Sequence, residues 1–305
     1  MGLKTFTSGH HPQKLRGMKV VPQKLFAAAN VDVVAQNGIT GILYKNLAEP
    51  LLQQELFLSA HCLNIVTKGR KEINSYEGET FIIDKNYFNF MQRDVYMVSD
   101  LIPHQETFET YLFFYDDDLI ESYLHSKRIA ARPQQNQPVY FAPMSEALQT
   151  YLLNLRPMFQ SLQGNSNELL RMKLLELLHL VAGETGPAFD DWVAGLLTFK
   201  ERNLEEFMQT NCLKPLTVDD YAQLTGRSLS TFLRDFKKQF DTTPKKWLLE
   251  KKLEHARQLL HNRETTVTDV AYAIGYENIS HFITAFKKRY SISPKQYLLQ
   301  QTSKH

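Results

Sequence analysis

The last ninety or so residues of this chain contain the same passage twice, about fifty positions apart. The first copy runs from Thr217 through Gly226, Phe232 and Phe236-Lys237 to Pro244. The second runs from Thr266 through Gly275, Phe282 and Phe286-Lys287 to Pro294. Ala222 and Gly226 precede their counterparts Ala271 and Gly275 by 49 positions. Phe232, Phe236, Lys237 and Pro244 precede theirs by 50, so one residue is inserted in the turn. Two copies in register must fold alike, and whatever one copy builds is built twice.

In the first copy Val218, Tyr221, Ala222 and Leu224 make the apolar stripe of a short helix, with Thr217 as N-cap. Asp219 and Asp220 lie in its first turn, where carboxylates suit the positive end of the helix dipole. Gly226 follows the last apolar position and can take the positive φ of a sharp helix exit. Ser228 caps a second helix, in which Phe232 and Phe236 face inward while Thr231, Arg234 and Lys238 face out. The second copy repeats this: Thr266 or Thr268 caps, Ala271 and Ile274 are buried, and Gly275 makes the turn. Asn278 caps the helix whose Phe282, Phe286 and Tyr290 point inward. Between the copies, Lys245 to Asn262 reads as a long amphipathic helix. Trp247, Leu248, Leu253, Ala256, Leu259 and Leu260 lie on its inner stripe, and Lys251, Lys252, Glu254 and Arg257 on its wet face. Each copy has the grammar of a helix-turn-helix, a motif that places a helix in a DNA groove. A stiff connecting helix would let two such units enter successive major grooves, about 34 Å apart. The plainer reading, two helical hairpins in an unrelated all-α domain, leaves the repeated basic outer face unexplained.

Residues 214–300 resemble the DNA-binding domain of the AraC/XylS family of bacterial transcription regulators. The resemblance rests on Ala222, Gly226, Arg234, Phe236-Lys237, Pro244, Leu253-Glu254, Ala256-Arg257, Leu259-Leu260, Asp269-Val270-Ala271, Gly275-Tyr276, Ser280-His281-Phe282, Phe286-Lys287 and Pro294. The family usually repeats, in the second unit, the arginine that stands here at Arg234. This chain has Thr284 there, which puts one base or phosphate contact in doubt.

Charge divides the chain at the same place. From Lys214 onward there are 16 Lys and Arg against 9 Asp and Glu; the rest holds 19 against 24. A basic module joined to an acidic one is the pattern of a nucleic-acid binder with a separate regulatory part. A length of 305 residues fits two domains. No apolar run approaches the ~20 residues that span a bilayer, and the start, with Lys4, His10, His11 and Pro12, lacks a signal-peptide core. Cys62 and Cys212 show no metal-ligand spacing, which suits a reduced, cytoplasmic protein.

Residues 1 to about 125 hold short apolar or alternating runs: 41–44, 62–67, 80–83, 87–90 and 111–115. Turn residues such as Gly69 and Gly78 separate them. This predicts a small antiparallel barrel or sandwich. Asp116-Asp117-Asp118 opens a helix through Leu119 and Tyr123. Residues 130–143, with three prolines, read as a loop. Helices follow at about 145–162 and 166–182, the latter with Asn165 and Glu168 as a capping pair. Leu169, Leu170, Met172, Leu174, Leu175, Leu177, Leu178, Leu180 and Val181 cover most of that last helix. One side can pack on the barrel and the other on a second subunit, or all of it can lie within its own domain. Residues 183–212 read as linker plus a helix centred on Trp192, Leu196 and Leu197. The layout resembles AraC-type regulators in which a cupin-like barrel and helical pair precede the DNA-binding domain, in the branch of type III secretion activators. Its cue is the Phe-rich strand before Asp116-Asp117-Asp118-Leu119.

The expected architecture is α+β. Residues 1–183 form a cupin-like regulatory and dimerisation domain, 184–213 a linker and helix, and 214–305 a double helix-turn-helix domain. Base readout falls to Ser230, Thr231, Leu233 and Arg234 on the first recognition helix, with the capping Ser228 also counted as DNA-binding, and to Asn278, Ile279, His281 and Thr284 on the second. Arg pairs with guanine, Asn with adenine, and Leu or Ile touches a thymine methyl. Lys237, Lys238, Lys245, Lys246, Lys287, Lys288 and Arg289 meet phosphates. No cofactor, metal or catalytic group is expected. His61 and His104 are the strand-region histidines, without the three or four converging ligands of a metal cupin. What the resemblance implies is a dimeric activator of transcription, with double-stranded DNA and RNA polymerase as partners. A small-molecule effector or a regulatory protein would act at the barrel.

Overall fold

The computed structural model describes residues 18–103, 107–132, 137–161, 167–197, 202–261, 265–276 and 278–302. His104, Asn165, Asn262 and the N-terminal Lys4, His10, His11 and Pro12 lie outside them, so the capping pair proposed at Asn165 does too. Ten strands come first: β1 (Lys19–Val21), β2 (Val31–Asn37), β3 (Thr40–Leu47), β4 (Leu51–Leu58), β5 (His61–Lys68), β6 (Arg70–Ser75), β7 (Thr80–Asp84), β8 (Tyr87–Met91), β9 (Val95–Leu101) and β10 (Phe108–Tyr115). Helix α1 (Asp117–Lys127) and strand β11 (Val139–Pro143) follow. Helices complete the chain: α2 (Glu146–Ser161), α3 (Asn167–Thr185), α4 (Pro187–Ala194), α5 (Leu204–Asn211), α6 (Val218–Leu224), α7 (Leu229–Phe240), α8 (Pro244–Leu259), α9 (Val267–Ala273), α10 (Ile279–Tyr290) and α11 (Pro294–Thr302).

The strands form two sheets, ordered β1-β4-β9-β6-β7 and β11-β8-β5-β10-β3-β2. Period-two alternation sends one face of each sheet into a shared core, where Leu43, Cys62, Val66, Ile73, Val98, Leu112 and Phe114 meet. The other face of the six-stranded sheet, with Ile42, Leu63, Ile65, Phe88, Phe90, Phe113 and Tyr115, is covered by α1 to α4. Both faces of that sheet are therefore buried, which is why β5 and β10 read as continuous apolar runs. The Tyr115 hydroxyl donates to the Leu174 carbonyl of α3 at 3.2 Å, and the Trp192 indole donates to the Gln137 carbonyl at 2.9 Å. Asp116 caps α1, its carboxylate accepting from the Leu119 amide at 2.9 Å.

Three expectations change. The proline-rich stretch 130–143 is not all loop: 139–143 forms β11, antiparallel to β8. It is an edge strand, where a proline's missing N–H is tolerated. The sandwich is not wholly antiparallel, since β1 pairs with β4 in parallel. Helix α4 is the helix expected around Trp192, but it ends at Ala194, short of Leu196 and Leu197, and its Phe189, Trp192 and Val193 join the core with α1 to α3. Helix α3 buries Leu170, Leu174, Leu177, Leu178 and Val181 against its own domain and leaves Met172 60% exposed.

The outer face of the five-stranded sheet carries the C-terminal helices. Met18, Phe57 and Val95 share a core with Leu204, Phe207, Met208, Tyr221, Leu224, Phe232, Phe236 and Trp247. A separate core holds Leu253, Ala256, Leu260, Val270, Ala271, Ile274, Phe282 and Phe286. Helix α8 thus puts its first turns into one unit and its last turns into the other.

Candidate nucleic-acid interface

The two copies share the caps of their first helices and the closure of their turns. Thr217 caps α6 in a capping box with Asp220, and Thr266 caps α9 in a box with Asp269. Each turn then closes in the same way. The Arg227 amide donates to the Ala222 carbonyl at 2.9 Å, and the Tyr276 amide to the Ala271 carbonyl at 2.9 Å. Gly226 and Gly275 take φ of 74° and 84°, the left-handed exit that this closure requires. The aromatic layer repeats too. Phe232–Phe236 and Phe282–Phe286 ring centroids lie 5.6 and 5.7 Å apart, and Phe236–Trp247 and Phe286–Tyr297 lie 5.8 and 5.9 Å apart. Glu277, the inserted residue, lies outside the described residues.

With the phenylalanines inward, the opposite faces of α7 and α10 are open to solvent. Ser228, Ser230, Leu233, Arg234, Lys237 and Lys238 are exposed on the first, and Thr231 is half-buried. On the second, Asn278, His281, Thr284, Lys287 and Lys288 are exposed and Ile279 is half-buried. Arg234 has a side chain 74% exposed and only a loose contact, Nε to Asp235 Oδ1 at 3.3 Å. It is free to reach a base edge. Lys245, Lys246 and Arg289 are also exposed.

Local hydrogen bonds separate the residues read together. The Ser228 hydroxyl accepts from the Thr231 amide at 3.3 Å. Asn278 Oδ1 accepts from the Ser280 and His281 amides at 2.9 and 3.3 Å. Pairing Asn with adenine uses both the amide oxygen and nitrogen. Asn278 can therefore read adenine only by giving up its cap, which argues for a structural role. Thr284 donates its hydroxyl to the Ser280 carbonyl at 2.9 Å and so points back along its own helix. On α10 the large apolar side chain left exposed is Ile283, 36% exposed. It was missed in the sequence reading, although it stands 50 positions from Leu233.

Nothing in the local residue pattern signals the contacts that seat the first unit on the sheet. Arg202 donates to Asp94 Oδ2 at 2.5 Å and to the Leu224 carbonyl at 2.7 Å, at the end of α6. Arg93 donates to Gln223 Oε1 of α6 at 2.9 Å and also pairs with Asp117. Lys214 pairs with Glu55 on β4. His61 sits behind this seam, fully buried. Its Nδ1 accepts from the Arg93 amide at 3.1 Å, and its Nε2 lies 3.5 Å from Asp117. Burial holds its imidazole below the ordinary range, against the pull of Asp117. Among the described residues no cluster of three or more metal-ligating side chains occurs.

Comparison with known proteins extends the resemblance over both parts. Residues 221–300 match the family model described as a helix-turn-helix domain, and residues 61–192 match that of the ExsA N-terminal regulatory domain. The chain is 24% identical over 222 residues to the thermoregulatory protein LcrF of Yersinia pestis, covering 71% of this chain and 80% of that one. It is 29% identical over 120 residues to the lactose operon transcription activator of Staphylococcus xylosus. That match covers 39% of this chain and spans 43% of the activator. Among solved structures, an apo ToxT variant from Vibrio cholerae aligns at a TM-score of 0.43 with 10% identity, over 87% of this chain and 98% of that one.

Proposed function

The chain belongs to the AraC family of bacterial transcription regulators, with a helix-turn-helix domain behind an ExsA-type regulatory domain, and we propose that it is a sequence-specific DNA-binding activator of transcription. Its relatives are regulators, not enzymes. The observation that carries the reading is the pair of similarly built helix-turn-helix units, each presenting an exposed polar and basic face on its second helix. In this reading residues 1–183 regulate and dimerise, 184–213 connect, and 214–305 bind DNA. Helices α7 and α10 enter successive major grooves. Arg234, Leu233 and Ser230 read bases from the first, with Thr231 beside them. His281, Ile279 and Ile283 read from the second. Thr284 sits among these at the groove, and Ser228 and Asn278 fix the helix starts. Lys237, Lys238, Lys287 and Lys288 meet phosphates.

Dimerisation through α2 and α3 is supported by Leu153 and Met172, 76% and 60% exposed on those helices. RNA polymerase would be the partner in activation, and the bacterial cytoplasm the site of action. Among the described residues no helix is long and apolar enough to cross a membrane. A second reading, that the sandwich receives a small-molecule effector, has its own support: a cavity of about 390 Å³ between the two sheets. A regulatory protein acting on the same part remains an alternative effector.

Selection of bound fragments from random DNA by the full-length chain tests the main reading. A discrete bipartite motif, bound more weakly when residues 1–183 are removed, is the expected result. Salt-sensitive binding without a motif would overturn it.

A further inference from the structure

The cavity between the sheets has an unusual charge balance. Lys45 projects into it from β3, Lys71 from β6 and Asp100 from β9, all nearly fully buried. Both ammonium groups lie 2.5 Å from the one carboxylate, Lys45 Nζ at Oδ2 and Lys71 Nζ at Oδ1. Asp100 is the only acid among the described residues that line the cavity, whereas Lys19 and Lys24 add two more lysines at its rim. Lys19 is taken up by Gln54, its Nζ 2.9 Å from Oε1. Asn64, fully buried in the wall, engages its Oδ1 with Thr110 and leaves its Nδ2 without an acceptor. Apart from Asn30 and Gln54 the rest of the wall is apolar, with Leu58, Met91, Val98, Leu112 and Phe114.

Buried charges are tolerated when paired, and one cation too many in an apolar chamber is costly. A buried amide donor without an acceptor adds a further cost. One ligand group removes both: a carboxylate, which brings a second negative charge to the two lysines and acceptor oxygens to Asn64. We infer that the cavity binds a small organic acid, with a single carboxylate at Lys45, Lys71 and Asn64 and an apolar body against Leu112 and Phe114. At about 390 Å³ the cavity lies in the size range that encloses small organic ligands. A sugar would leave its hydroxyls against the apolar wall, and a cation would add to the excess charge.

The inference rests on the receptor reading for its regulatory meaning, and the strand pleat supplies the link. On β4, Gln54, Leu56 and Leu58 line the cavity, while Glu55 and Phe57 between them meet Lys214 and the core of the first helix-turn-helix unit. The strand that touches the ligand therefore carries the DNA-binding unit on its back.

Calorimetric titration of the full chain tests this with octanoate and biphenyl-4-carboxylate against 1-octanol and biphenyl-4-methanol. The expected result is that at least one acid binds at least ten-fold more tightly than its alcohol, and that Lys45→Met abolishes the preference; the two arms tell an alkyl from an aryl body. Methyl NMR of the unmodified chain keeps the test open if that variant does not fold: the bound acid should shift Met91 and Leu112. Equal or tighter binding of the alcohols overturns the acid class while leaving a receptor in place. No binding, with no shift at Met91 or Leu112, overturns both. Acid binding that leaves DNA affinity unchanged upholds the site and overturns the effector reading alone.

Discussion

Arg234 and Lys237 are both exposed cations on helix α7, yet they should fail differently. Arg234 projects from the solvent face with nothing firmer than the 3.3 Å contact to Asp235. Arg234→Ala should weaken cognate binding by about 1–3 kcal/mol and relax specificity at one base pair. Competition with single-base variants of the selected site checks this, and equal loss on random DNA would mean a phosphate contact. Lys237 stands in the last turn of the helix. Lys237→Ala should weaken binding to every sequence and lower the salt slope by about one. A titration at several salt concentrations checks it, since an unchanged slope places the lysine off the phosphates. His61 gives a prediction about stability. Its imidazole is depressed by burial in the fold and near 6.5 when unfolded, so unfolding takes up a proton. Stability should therefore fall as pH drops below about 6.5 and stop falling below the folded value. Thermal midpoints between about pH 7.5 and 5.5 should decline more steeply for the native chain than for His61→Gln. The exposed His179 is also depressed, by partial burial and Lys127, so the variant should keep some slope.

At the level of elements, the helices of the repeat were legible because each is fixed by neighbours in sequence. Caps at Thr217, Ser228 and Thr266, glycine exits and i,i+4 phenylalanines are all local, and all appear where the spacing put them. Strands depend on partners elsewhere in the chain. The apolar runs of β5 and β10 were visible because helices and a second sheet bury both faces. β2, β4 and β9, each with a more exposed face or a shifted register, gave weaker patterns. β11 was hidden by its prolines, and nothing local signals that β1 runs parallel to β4. At the interface, sequence named the exposed helix face but not the hydrogen bonds that occupy Asn278 and Thr284. Two glycines test the local logic. Gly275 has positive φ and open space, with only the Lys252 ammonium 3.8 Å from an added Cβ. The cost of Gly275→Ala is thus backbone alone, about 1–2 kcal/mol. Gly183 lies in α3 with nothing within 4 Å of an added Cβ, so Gly183→Ala should stabilise by about 0.5–1 kcal/mol. Opposite shifts in denaturant midpoint are expected; the same sign for both would contradict the assignment of the turn.

For the whole molecule, the chain is four layers deep: helices α1 to α4, the six-stranded sheet, the five-stranded sheet, and the first helix-turn-helix unit. The second unit touches none of those layers through its own core; it hangs from the far end of α8. Among the described residues, α7 shares its core with the regulatory part, whereas the core of α10 is shared with the last turns of α8. A direct polar link from the sheet to α6 runs through Arg202, which ties Asp94 to the Leu224 carbonyl. Both charged partners are largely buried, with side chains 12% and 4% exposed. Burial alone would lower the Arg202 guanidinium, but Asp94 and Glu77 hold it above its ordinary range. Burial raises the Asp94 carboxyl even beside Arg202, so removing Arg202 leaves Asp94 charged in a dry seam or forces a proton onto it, and Arg202→Met should destabilise the chain by about 3–5 kcal/mol. Removing both should recover much of that loss, because Asp94→Leu with Arg202→Met leaves no unpaired charge. Denaturant unfolding of the two single variants and the double gives the coupling directly. If the double variant is as unstable as the sum of the singles, the seam is held by its apolar contacts. The ion pair is then no route from sheet to recognition helix, and Phe57 and Val95 become the positions through which a filled cavity would act.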